Sequence, residues 1–292
     1  MDHIETSHIE TSHGETSHGE TSHMDADHTH DADGTSTLHI AVAGGTGTLG
    51  RHVVDELRAR GHNVRVLSRS SAEYPVDLAT GEGLEAALAG CDVVVDAANS
   101  VSPRTMRATL VDGTKHLVAA ERAAGVSHHV CVSIVGCDRV PMPYYKVKVA
   151  QEDAVMAGPV PWTIVRATQF HELIAGVFKA TVRARVLLAS RNVIMQPMAA
   201  VEAARAVADA AEAAPRHGRI EAAGPERTDL HTLAATWRAA TARRAALLPA
   251  PVPGRMGRAL RAGHLASTHP DAQGVVGFAE WLGERSQGGY GS

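Results

Sequence analysis

Leu38-His39-Ile40-Ala41-Val42-Ala43-Gly44-Gly45-Thr46-Gly47-Thr48-Leu49-Gly50 is the stretch whose reading decides the fold. Leu38 to Ala43 is apolar without alternation, the pattern of a parallel strand covered on both faces. Glycine stands at 44, 47 and 50, and Gly45, Gly47 and Gly50 also satisfy G-x-G-x-x-G. Glycine there serves a tight turn, close approach of a pyrophosphate to the backbone, and packing of helix on strand. Leu49, Val53 and Leu57 then recur on one helix face, and Gly61 supplies a natural C′ residue. The free N–H groups and positive dipole end of that helix would face phosphate. Strand, loop and helix in this order predict dinucleotide binding through Gly44, Thr46, Gly47, Thr48, Leu49 and Gly50.

The next strand, within Asn63 to Ser70, selects the dinucleotide. An NAD-specific chain usually places Asp or Glu about 20 residues after the loop, to hold the ribose 2′-hydroxyl. Ser68 and Arg69 stand here instead. A guanidinium fork suits a 2′-phosphate and leaves no carboxylate to repel it, so NADP(H) is expected, with Arg51 as a second phosphate contact.

Strands and helices keep alternating. Tyr74 to Leu78 reads as a short strand and loop, with Asp77 and Leu78 beside the adenine. Leu84 to Leu88 reads as a helix and Cys91 to Ala98 as a buried strand. The small residues Ala97 and Ala98, with Asn99, would let a coenzyme lie over its end. A long helix is expected over about Arg104 to Ala124, with Leu110, Thr114, Leu117 and Val118 inward. Strands follow at His129–Ser133 and Trp162–Arg166. Such units imply a doubly wound parallel sheet of the Rossmann kind, an α/β fold, with ligand at the carboxyl ends of the strands. Asn99, Ser133, Thr168 and Gln169 fall there.

The chemical candidates are Ser133, Tyr144 and Lys148. Tyr144 and Lys148 are four apart and share a helix face. A lysine near a phenol would lower the tyrosine pKa and suit it to proton transfer, and a serine hydroxyl could bond the same carbonyl oxygen.

The chain resembles the NmrA-like, isoflavone-reductase-like branch of atypical short-chain dehydrogenases/reductases. The resemblance rests on Ala43 to Gly50, Val132-Ser133-Ile134-Val135-Gly136, Tyr144 to Lys148, and Trp162 to Phe170. Met195-Gln196-Pro197-Met198 and Ala222 to Glu226 extend it. It implies an NADP(H)-binding core, a small C-terminal substrate lobe, Lys148 near the nicotinamide, and Ala167, Thr168, Gln169 and Phe170 lining the far side. The interval from Ser133 to Tyr144 is shorter than in typical short-chain dehydrogenases and contains Pro141 and Pro143, so Tyr144, Tyr145 or neither faces the coenzyme. The expected activity is NADPH-dependent reduction of a small carbonyl, quinone or enone; the alternatives are a non-catalytic NADP(H)-sensing regulator, or a same-fold enzyme that uses the coenzyme for cyclisation, dehydration or epimerisation.

The expected organisation is a disordered tail over 1–36, a coenzyme-binding core over 37–168, remaining core and substrate lobe over 169–285, and a flexible end over 286–292. The tail repeats Ile4-Glu5-Thr6-Ser7-His8 and its variants, too polar to bury a core, and Met24 offers an alternative start. In the lobe, Val201, Ala204, Val207, Ala208 and Ala211 fit one packed helix face. Trp237, Leu247, Leu248, Leu260, Phe278 and Trp281 read as lobe core. His171 and Glu172 are equally suited to meet substrate or to serve the structure.

The 292 residues carry a formal net charge of −4, which gives no electrostatic footprint for nucleic acid. No apolar run approaches a membrane span, and the start lacks the regions of a signal peptide. Cys91, Cys131 and Cys137 lack C-x-x-C spacing and read as packing residues in a reducing cytoplasm, with no metal site. The Ala- and Arg-rich composition, with 3% aromatic residues, suggests a GC-rich bacterial genome. A small-molecule substrate is the expected partner, without nucleic acid or membrane.

Overall fold

In the computed structural model, residues 37–182 and 185–287 are described. The expected tail over 1–36 and the last residues, 288–292, lie outside them. β1 (His39–Ala43) pairs in parallel with β2 (Asn63–Leu67) on one side and β3 (Val93–Asp96) on the other. β4 (His128–Ile134), β5 (Trp162–Ala167), β8 (Gly218–Ala223) and β11 (Ala272–Gln273) continue the sheet. The order is β11-β8-β5-β4-β3-β1-β2, and every pairing in these seven strands is parallel. The chain reverses its direction of winding between β1 and β3, which opens a crevice at their carboxyl ends.

Both faces are covered. Ile40 and Val42 of β1 pack with Val53, Val54 and Leu57 of α1 (Gly50–Ala59) and with the alanines of α6 (Ala200–Glu212). Ala41 and Ala43 point the other way, toward α2 (Leu84–Leu88) and α3 (Gly113–Ala124). That period of two, with apolar side chains on both faces, is why β1 shows no polar alternation. α4 (Pro143–Met156) closes the second face beside α3.

Several expectations shift in detail. The third short strand survives as a bridge between Ser68 and Pro75, with a second bridge from Asp77 to Glu82. The long helix is broken by a π-helical turn over Ala108–Asp112 before α3, while Leu110, Thr114, Leu117 and Val118 are buried as expected. In α6, Val201 is exposed at 38% and does not join the packed face.

Beyond β5, α5 (His171–Thr181), α7 (Leu230–Ala240) and α9 (Phe278–Gln287) pack around Phe178, Leu187 and Trp237. Two small sheets join them, β6 (Val186–Ala189) with β10 (Ala246–Pro249), and β7 (Ile194–Met195) with β9 (Thr228–Asp229). α8 (Gly254–Arg261) packs instead on the loop after β4, through Leu260, Cys137 and Val140. Leu248 is exposed at 45%, outside the core predicted for it. α9 runs to Gln287, so residues 286–287 are helical rather than part of a flexible end.

Candidate coenzyme and active site

The loop from β1 to α1 is shaped by what it packs against. Gly44 adopts φ +72°, and a Cβ there would lie 2.6 Å from the Ala98 Cα. The small residues Ala97 and Ala98 therefore admit the glycine loop itself to the end of β3. Gly47 closes the turn with its amide on the Gly44 carbonyl at 2.9 Å. Thr46, Gly47 and Thr48 are exposed, and the amides of Thr46, Thr48, Leu49 and Gly50 donate to no acceptor among the described residues. Unpaired amides at a helix start, with no side chain filling the space, fit a pyrophosphate.

At the end of β2, the Ser68 hydroxyl lies 3.4 Å from that of Ser70. Arg69 and Arg51 are both exposed, and neither side chain has a partner among the described residues. Asp77 accepts from the Ala79 amide at 2.9 Å, so one carboxylate oxygen holds its own turn. The Leu78 carbonyl bonds His116 at 2.9 Å, which fixes this loop on α3.

The three catalytic candidates turn to three different partners. Tyr144 donates its phenol to Asn99 Oδ1 at 2.8 Å, linking the start of α4 to the end of β3. Burial raises the Tyr144 pKa, the Asn99 bond opposing it, so the phenol keeps its proton at neutral pH. This corrects the expected lysine-lowered phenol. Lys148 is 4% exposed and donates to the Val132 carbonyl at 2.7 Å and to Gln151 Oε1. Gln151 in turn donates to Asp96 Oδ2 at 2.9 Å, which also accepts from Thr114 at 2.8 Å. Asp96 Oδ1 accepts from the Ala98 amide at 3.1 Å. A continuous buried network thus runs from Lys148 to the strand end beneath the glycine loop.

Ser133 is 2% exposed and donates to Glu152 Oε1 at 2.5 Å, away from both Tyr144 and Lys148. Glu152 also receives a fork from Arg166, at 2.9 Å and 2.7 Å, and Arg219 at 2.9 Å. Burial alone would raise its pKa, but the bonds from Arg166, Ser133 and Arg219 hold it down to about 2. The structure therefore brings Tyr144 and Asn99 together, and leaves Ser133 in a buried ion cluster. Its part in holding a carbonyl oxygen is not what this geometry provides.

The end of β5 is committed to the C-terminal half. Ala167 and Thr168 are buried, and Thr168 accepts from the Gly224 amide at 3.3 Å. Gln169 donates to the Leu265 carbonyl at 3.0 Å. Phe170 remains half-buried and bridges to Met198. Gly136 (φ +74°) lies so close beneath the His264 carbonyl that a Cβ would overlap it, so the loop after β4 is capped by the segment after α8. His171 donates from Nε2 to the Val276 carbonyl at 3.0 Å and packs on Phe278 and Trp281, while Glu172 accepts from the Ala200 amide at 3.3 Å. Both serve the structure.

Sequence reasoning passed over Asp96, Thr114, Gln151, Glu152 and Arg166. Their signal was present on α4: Lys148, Gln151, Glu152 and Val155 are buried at helical spacing, a core-facing stripe written in polar residues. The histidines also gain partners. His129 of β4 meets Glu121 of α3 at 2.8 Å, buried between sheet and helix, and His128 meets Thr163 at 2.9 Å. Asp96, His129 and Cys131 bring ligand atoms within 4.8 Å of one another, although both Asp96 oxygens already accept from protein donors. All three cysteines are free and buried, as packing residues should be.

A parallel sheet with open amides at its first strand-to-helix turn defines a dinucleotide-binding α/β protein. A family model described as NAD(P)H-binding matches residues 44–210, and the chain belongs to that family. It is 30% identical over 166 residues to a ceramide reductase of Caulobacter vibrioides, covering 51% of this chain and 52% of that one. It is also 29% identical over 149 residues to the Photosystem II assembly factor Ycf39 of Trieres chinensis, covering 46% and 47%. The chain spans about half the length of the curated relatives it matches. In fold it is similar to an NADPH-dependent quinone oxidoreductase of Escherichia coli complexed with NADPH. That likeness has a TM-score of 0.71 at 16% identity and covers 85% of this chain and 99% of the other. The expected Rossmann architecture and a nicotinamide coenzyme are thereby established. Among the described residues, no helix is long and apolar enough to cross a membrane.

Proposed function

We propose that the chain is an NADPH-dependent reductase of a small carbonyl, quinone or enone. One observation carries this reading: a protonated phenol, Tyr144, held at 2.8 Å by Asn99 at the carboxyl edge of the sheet. When bound, the coenzyme would supply the hydride. The amides of Thr46, Thr48, Leu49 and Gly50 would hold its pyrophosphate, and Arg69 with Ser68 would meet a 2′-phosphate. Tyr144 rests with its one proton on Asn99 Oδ1 and would turn that proton to the acceptor oxygen when substrate binds, its raised pKa keeping the proton in place until then. Lys148, fixed by Val132 and Gln151, contributes a nearby positive charge rather than a direct contact with substrate.

The test is absorbance at the reduced-nicotinamide band during incubation with NADPH and a panel of quinones, enones and ketones. Oxidation that drops sharply in Tyr144→Phe, with NADPH affinity unchanged, is the expected result. Coenzyme preference has a separate check. Arg69→Asp removes a charge-assisted contact worth roughly 1.5–3 kcal/mol, so NADPH should weaken by more than about tenfold while NADH holds.

A second reading has its own support. Ser133 and Lys148 are both tied into buried networks, and one set of relatives is named as assembly factors. If NADPH binds tightly and no acceptor in the panel is reduced, the chain reads as an NADP(H)-sensing regulator.

A further inference from the structure

A cavity of about 390 Å³ opens between α4, α8 and the loop after β4, on a different face of α4 from Tyr144 and Lys148. Lys146 and Val149 are three apart and face it together, whereas Tyr144 and Lys148 share the neighbouring face. Its floor is apolar, formed by Val149 and by Cys137 and Val140, which are 3% and 2% exposed. Its rim is cationic: Arg139, Lys146 and Arg255 all stand exposed around the opening.

The charges at this rim do not cancel. The single acid there, Asp138, lies 3.2 Å from Arg166 and 4.0 Å from Arg139, so its carboxylate is already shared. Lys146 and Arg255 have no ion-pair partner among the described residues. Three cations around an apolar floor concentrate positive potential where a ligand would lose water, and that arrangement attracts an anion. The volume lies at the small end of ligand cavities, roughly 300–1,000 Å³, which limits the body of the ligand to about one ring.

We propose that this cavity binds a small organic anion, a compact apolar body bearing one carboxylate or phosphate, independently of the coenzyme cleft. The apolar part lies against Val149 and Val140, and the anionic head is held by Lys146 and Arg255, with Arg139 at the side. This site does not depend on the reductase reading.

The experiment is calorimetric titration of the full chain, saturated with NADPH, with benzoate, phenyl phosphate and benzyl alcohol at low salt, with thermal shift in parallel. Benzoate or phenyl phosphate should bind at least about tenfold more tightly than benzyl alcohol, and the stronger of the two identifies the head group. The Lys146→Gln, Arg255→Gln double variant should lose on the order of tenfold or more in anion affinity with NADPH affinity unchanged. Lys146→Arg should preserve it. Four results overturn the proposal: equal affinity for benzyl alcohol; unchanged anion affinity in the double variant; neither heat nor thermal shift with either anion; or anion binding abolished by NADPH, which would place it in the coenzyme cleft. If NADPH itself fails to bind, the reductase reading falls, and the benzoate titration without it still decides the cavity.

Discussion

Glu152→Gln probes the buried ion cluster beneath β4 and β5, and its size follows from the structure. The carboxylate is 1% exposed and accepts from Ser133, from both arms of Arg166 and from Arg219. Those bonds overcome burial and lower its pKa from 4.5 to about 2. At about 1.4 kcal/mol per unit, the depression corresponds to about 3 kcal/mol of stability. Arg219 is 40% exposed, and screening at that end reduces the figure to about 2–3 kcal/mol. Because the folded pKa is depressed, the contribution is complete above pH 4.5 and disappears as the pH falls toward 2.

The assay is urea unfolding of the chain and the variant from pH 7 to pH 3. At pH 7 the variant leaves the buried Arg166 with only the exposed Asp138, at 3.2 Å, as counter-charge, so it should be less stable by about 3 kcal/mol. At pH 3 the native carboxylate has given up roughly half of its advantage, so the gap should narrow by about 1–2 kcal/mol. A gap of constant size across that range would refute the electrostatic account and leave only packing. Arg166→Met is a control, because it too should flatten the acid limb.

Three other perturbations test separate parts of the molecule. His129 is opposed by burial yet raised well above its usual pKa by Glu121, so its contribution is complete below pH 6.5 and lost as pH rises through the folded value. Glu121→Gln should remove that alkaline decline in thermal stability, and an unchanged slope would contradict the pairing. Gln151→Leu disconnects Lys148 from Asp96 and leaves both buried without that partner, so unfolding free energy should fall by about 3 kcal/mol or more; a loss under about 1 kcal/mol would mean the link carries nothing. Gly44→Ala puts a methyl group into the Ala98 backbone at a left-handed position, and calorimetry should register a loss of NADPH binding of at least about tenfold.

The first half of the fold was legible because backbone chemistry wrote it. Gly44 and Gly50 mark a turn that no other residue could make at that closeness, and Ile40 to Ala43 mark a strand buried on both faces. The cation at Arg69, where a carboxylate is usual, is likewise a local fact of the sequence, and its meeting a 2′-phosphate belongs to the proposed function. The geometry of the candidate site was not, because Ser133 and Lys148 are held by Glu152 and Val132, 19 and 16 residues away, and the network continues from Gln151 to Asp96, a further 55 residues off. Nothing in the spacing of Ser133 and Tyr144 shows that Glu152 would capture the serine. Val201 and Leu248 misled for the opposite reason, since an apolar residue on a helix or edge strand fits either side.

The capture of Lys148 bears on what the proposed active site could do. Had its ammonium faced the phenol, Tyr144 would be a phenolate near neutral pH and would accept protons as readily as donate them. Instead the ammonium is held by the Val132 carbonyl and by Gln151, which in turn bonds Asp96, and the same Asp96 holds the Ala98 amide under the glycine loop. Occupying that loop therefore bears on the strand end that fixes Asn99, and Asn99 is the group that aims Tyr144. A protonated tyrosine oriented in this way favours the direction in which the acceptor oxygen takes up a proton. The pH profile of turnover follows from this: reduction should persist to pH values above those at which an unburied phenol ionises, because burial keeps the Tyr144 proton in place. A turnover limb falling below pH 9 with Tyr144 as its origin would show that the lysine, and not Asn99, governs the phenol.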